Sequence, residues 1–113
     1  MKKRTYSCGL DAAVDVVGGK WKALILWALH HDTLRFGELK RSMPGISEKM
    51  MIQQLREMES DGIVARKDFR EIPPHVEYSL TPFGVSLGGA LEPLCDWGRE
   101  HMERISKTRA HVG

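Results

Sequence analysis

The chain has 113 residues, enough for one domain with a real core and too few for two independent ones. Charged side chains make up 28% of it, and no segment approaches the ~18 uncharged apolar residues of a transmembrane helix, so no membrane partner is expected. With 17 basic and 15 acidic side chains the formal charge is only +2, too small for electrostatics alone to identify nucleic acid as a partner.

The opening MKKRTYSCGLDAAVDVVGGKW has a basic run but no apolar stretch before Asp11 and Asp15 interrupt it, unlike a secretory signal, and a cytoplasmic location is expected. Val14 and Val17, with Ala13, predict a first short helix that Gly18 and Gly19 end. From Lys20 to about His31, KWKALILWALHH is apolar almost all round, the pattern of a helix buried on more than one side. His30 and His31 suit the negative end of that helix, and without a third spaced ligand the HHD run is not read as a metal site.

In LRFGELKRSM, Leu34 and Phe36 predict a short strand, followed by a brief helix with Leu39 and Met43 on its inner side. Pro44 and Gly45 force a turn, and GISEKMMIQQLREMESDGIV follows. Ser47 is its N-cap, Ile46 and Met51 are placed as a hydrophobic staple, and Gly62 is the residue after the C-cap. Stepping about 100° per residue from Leu55 assigns Met51, Ile52, Leu55 and Met58 to the buried side. Met50 falls opposite, with Lys49, Gln53 and Glu57, flanked by Gln54 and Arg56.

IVARKDF and HVEYSL read as two strands of a hairpin, joined through REIPP. Thr81 can cap a last long helix with Pro82 in its first turn. Leu87, Leu91, Leu94, Gly98, Met102 and Ile105 lie near one stripe of it, and Gly88, Gly89 and Pro93 predict a weak point or kink.

A short helix, a tight turn and a second capped helix make a helix-turn-helix, and the hairpin behind it supplies a wing. The fold class expected is mainly α with a small β-hairpin (α+β), a winged helix-turn-helix filling residues 1–113 as one domain. Residues 35–70 carry eight basic and six acidic side chains, residues 71–113 four and six, which points any binding surface to the earlier half. Gln can pair with adenine, and Arg or Lys with guanine or phosphate. The DNA-binding candidates are therefore Ser47, Lys49, Gln53, Gln54 and Arg56 in a recognition helix over 47–60, with Arg66, Lys67 and Arg70 in a wing over 64–80.

No glycine-rich phosphate loop, HExxH or GxSxG is present, and no histidine adjoins a cysteine in sequence, so the chain is read as no enzyme and as needing no cofactor or metal. The alternative to DNA binding is a winged helix used as a protein-interaction module.

The motifs Cys8, GGKWKALIL at 18–26, RFGELKRSMPGISEKM at 35–50, LREMESDGIVAR at 55–66, PPHVEYSLTPFG at 73–84 and Trp97-Gly98 together resemble the HxlR family of winged-helix transcriptional regulators, within the MarR-like superfamily. The resemblance implies a homodimer with N- and C-terminal dimerisation helices. It also implies a double-stranded, pseudo-palindromic DNA operator, the helix after PGIS in the major groove and the wing on the flanking backbone or minor groove. Gly37 stands where members often have Asn, a better N-cap, and Lys22 where they often have Thr.

In several members the cysteine matching Cys8 senses electrophiles or oxidants, which makes Cys8 the candidate redox sensor and such a small molecule a candidate partner. Lys2, Lys3, Arg4 and the following helix N-terminus favour its thiolate. Cys95, beside the apolar stripe, reads as core, the alternative being a disulfide with the partner subunit's Cys8.

Overall fold

Residues 4–112 are described in a computed structural model of the chain. In order they form α1 (Gly9–Val17), α2 (Gly19–His31), β1 (Leu34–Arg35), α3 (Phe36–Arg41), α4 (Glu48–Ser60), β2 (Val64–Asp68), β3 (Val76–Leu80) and α5 (Pro82–Val112). Among the described residues no helix is long and apolar enough to cross a membrane.

The core is one cluster gathered around α2. Ile25, Leu26 and Leu29 of α2 meet Leu39 of α3, Met51, Leu55 and Met58 of α4, and Ile63, Val64 and Tyr78 at the base of the sheet. Met43 and Ile46 are also buried and pin the α3–α4 turn from inside. Each such side chain contributes roughly 1.5–3 kcal/mol when fully buried, so the turn is held as firmly as the helices it joins.

Three short-range devices set the ends of α4. The Ser47 side chain accepts a hydrogen bond from the Met50 N–H at 3.1 Å. At the other end Gly62 N–H reaches Glu59 O at 3.0 Å and Ile63 N–H reaches Met58 O at 2.9 Å, the paired bonds of a Schellman motif. Met58 and Ile63, the two residues that such a motif brings together, are both buried.

The sheet has three antiparallel strands in the order β1-β3-β2. Val64 faces Leu80 and Asp68 faces Val76 in the hairpin, while Leu34 faces Tyr78 on the other edge. β1 stops at Arg35 because Arg35 is the N-cap of α3: its N–H donates to Glu38 Oε1 at 2.9 Å. Phe36 is thus the first residue of a helix and not part of a strand, and Gly37 lies inside that helix instead of capping it.

α5 runs unbroken through Gly88, Gly89 and Pro93, so the expected weak point does not interrupt it. Proline forfeits one backbone hydrogen bond, and the half-buried Leu87 and Leu91 hold the turns before it on the core. Gly88 is needed for a different reason: a Cβ there would lie 2.5 Å from the buried Nδ1 of His30, so its absence lets α5 approach α2. His30 Nε2 lies 3.0 Å from Glu92 Oε1, and His31 Nδ1 donates to Trp27 O at 2.8 Å.

One joint links the hairpin, α4 and α5. The Thr81 N–H donates to Ile63 O at 3.0 Å, its hydroxyl donates to Gly62 O, and its oxygen accepts from Gly84 N–H at 3.0 Å. Gly84 is packed so closely that a Cβ would come within 2.2 Å of Ile63 O.

Candidate nucleic-acid interface

α4 is amphipathic, with a buried arc centred on Met51, Leu55 and Met58. Two neighbours of that arc reverse their expected places. Met50, assigned to the outward face, is half-buried against the core, and Gln54 Nε2 donates to its Sδ at 3.3 Å. Ile52, assigned to the core, is 36% exposed.

The cause is what lies on each flank. α2 contacts α4 on the Glu57 flank, where Lys22 Nζ stands 2.9 Å from Glu57 Oε2. That pair, hydrogen bond and charge together, holds the Glu57 carboxyl below its ordinary pKa. On the Ile52 flank an open cleft separates α4 from the sheet; its apolar floor includes Phe36, Ile52, Leu55 and Tyr78, and its charged lining is Arg56 and Arg66 together with Glu48 and Glu59.

The outward surface of α4 therefore consists of Lys49, Ile52, Gln53, Arg56 and, toward α2, Glu57, with Ser47 and Glu48 at its N-terminal end. Ser47 has spent its oxygen on the cap and retains a hydroxyl proton to donate. Gln54 does not join this surface, since its amide is turned to Met50 on the edge of the core.

Arg66 and Lys67 are exposed on β2, an edge strand of which only Val64 is buried. Lys67 Nζ lies over the Phe69 ring at 4.7 Å, and Phe69 stacks on His75 at 4.2 Å. Arg70 follows in the hairpin loop, in the left-handed region at φ 54°, where its N–H donates to Asp68 Oδ1 at 2.8 Å. Among the described residues, none of Lys49, Arg56, Arg66, Lys67 or Arg70 is held in an ion pair. Their charge is available to an outside anion.

Cys8 lies apart from this surface, exposed at the N-cap of α1. The backbone N–H groups of Asp11 and Leu10 favour its thiolate and lower its pKa, although none is aligned well enough to make a capping hydrogen bond. Arg4, one of the three basic residues expected to act on it, is turned to a carboxylate instead. Arg4 is 2.8 Å from Asp15 Oδ1, which also accepts, through Oδ2, the Tyr6 hydroxyl at 2.6 Å. Lys2 and Lys3 lie outside the described residues. Cys95 is half-buried, with Arg99 Nη2 3.5 Å from its sulfur.

A helix-turn-helix carried on this core and followed by a hairpin wing matches the HxlR-like helix-turn-helix family over residues 16–106. The chain belongs to that family. This HxlR-like protein is 48% identical over 105 residues to YtcD of Bacillus subtilis, an uncharacterised HTH-type transcriptional regulator, covering 93% of this chain and 83% of YtcD. Its fold is similar to that of the redox regulator HypR in its reduced form, with a TM-score of 0.82 and 37% identity, covering 88% of this chain and 99% of HypR. The reduced transcriptional regulator YodB of B. subtilis is also similar, with a TM-score of 0.71 and 32% identity over 82% of this chain and 92% of YodB. The HxlR-like protein is accordingly a DNA-binding transcriptional regulator with a winged helix-turn-helix.

Proposed function

We propose that the protein binds a two-fold DNA operator as a homodimer, each protomer laying α4 in one major groove and its β2–β3 wing on the flanking backbone or minor groove. The observation that carries this reading is the pairing of Arg56 on α4 with Arg66 on β2 across one open cleft, both free of ion-pair partners among the described residues. Helix and wing thus offer cations to the same neighbour, as a duplex requires of an element in the groove and one on the backbone. Gln53 and Arg56 specify bases; Ser47, Lys49, Arg66, Lys67 and Arg70 anchor phosphates. Gln54 contributes by fixing Met50.

Homodimerisation is supported by α1, which has no fully buried residue and meets the core of its own chain through the half-buried Val16. A helix so short is marginal unless another surface covers it. Leu10 at 72% and Val14 at 59% exposure on α1, and Leu94 at 64% and Met102 at 63% on α5, supply apolar surface for that purpose. The two half-sites then lie about one helical turn apart.

Cys8 is the proposed switch, supported by its exposure, its lowered pKa and the likeness to HypR, a redox regulator known in oxidised and reduced forms. Oxidation or alkylation of an exposed thiol on α1 acts on the dimer surface and through it on half-site spacing.

Selection of bound fragments from a random duplex pool, with and without diamide, tests these statements together. Recovered fragments should share two inverted half-sites, and diamide should change recovery for wild type but not for Cys8→Ser. Recovery of no common sequence would sink the operator reading; equal diamide responses in the two proteins would sink the switch.

A further inference from the structure

We infer that Ile52 is a specificity-determining residue that reads thymine, by packing its side chain on the C5 methyl group in the major groove. The inference rests on α4 being the helix that enters that groove. Ile52 is the one apolar side chain in the shallow outer concavity of α4, whose other lining residues are Glu48, Lys49, Gln53, Arg56 and Glu57. Lys49 and Arg56 lie three residues before it and four after, the spacings that make neighbours on a helix surface, so two cations bracket it along the helix. A duplex whose phosphates or guanines meet those cations brings a base edge onto the isoleucine between them. Major-groove base edges present hydrogen-bond donors and acceptors, and thymine alone adds a methyl group.

The side chain is suited to the task. It is β-branched, so a helix leaves it essentially one rotamer, and little freedom is lost when a methyl group docks on it. Its inner edge borders the cleft with Phe36, Leu55 and Tyr78, which fixes where it stands while a third of it remains open. A polar residue there would ask for a donor or acceptor; isoleucine asks for a surface without one.

The experiment uses the full chain and duplexes carrying a half-site pair recovered from the random pool, in which each thymine in turn is replaced by deoxyuridine, removing only the methyl group. At one position per half-site the replacement should weaken wild-type binding by about fourfold, the worth of one buried methyl-sized group. Ile52→Ala should bind the thymine and deoxyuridine duplexes alike, and Ile52→Val, which keeps the branch, should retain part of the difference. Deoxyuridine without effect at every position, or an effect undiminished in Ile52→Ala, overturns the inference while DNA binding stands. Failure to recover any operator removes both readings.

Discussion

Lys22 has only 14% of its side chain exposed, and the partner that makes its charge tolerable there is Glu57 of α4, itself 45% exposed. Because folding lowers the Glu57 pKa, its contribution to stability is present above the unfolded carboxylate pKa and disappears as pH falls through the folded one. Glu57→Gln should therefore be less stable than wild type near neutral pH, with the gap closing as pH falls through the lowered folded-state pKa, as urea titrations across an acidic pH series would report. Parallel stability curves would show that the pair holds nothing. Cys8 titrates in the same direction for another reason, the backbone amides of Leu10 and Asp11. Its alkylation by iodoacetamide, followed by mass spectrometry, should persist to lower pH than that of an unstructured peptide thiol; a midpoint equal to the peptide's would remove the electrostatic basis of the switch. At the interface, Gln53→Ala should relax preference at one base pair, by about 1–3 kcal/mol of discrimination. Lys67→Ala should instead weaken binding to all sequences and lower the salt slope by about one. The two variants are told apart by binding a set of single-base operator variants at two salt concentrations.

Elements differ in how much of them a sequence discloses. The caps of α4 were legible at Ser47 and Gly62 because a cap is a contract among residues three to five apart, and Ser47→Ala should cost about 0.5–2 kcal/mol in thermal or urea unfolding. The start of α5 at Thr81 and Pro82 was legible for the same reason. The exchange between Met50 and Ile52 was not, since helical spacing orders residues around the axis without saying which neighbours will cover each flank. α2 approaching through Lys22, and the sheet standing off across a cleft, settle that at long range. β1 pairing with β3 is another long-range matter: two residues, Leu34 and Arg35, contain too little pattern to specify a partner more than forty positions away. The candidate cations of the site were readable as residue types; that Gln54 turns aside to Met50 was not.

At the scale of the molecule, the described chain extends 50 × 37 × 24 Å. If the apolar faces of α1 and α5 are the subunit interface, Val14→Glu combined with Leu94→Glu should yield a monomer by sedimentation equilibrium with its circular dichroism largely retained, because neither residue belongs to the core. Operator affinity should fall with it, and a persistent dimer would relocate the interface.

The joint at Thr81 makes α5 a lever arm. The helix runs for 31 residues, about 46 Å at ~1.5 Å per residue, and its near end is fastened through Thr81 to Gly62 and Ile63, in the turn that joins α4 to the first strand of the wing. If α4 and the wing are the DNA-facing elements of a dimer, as proposed, both share that pivot, and a swing of the arm would turn them together and change the distance between half-sites, not the grip on either.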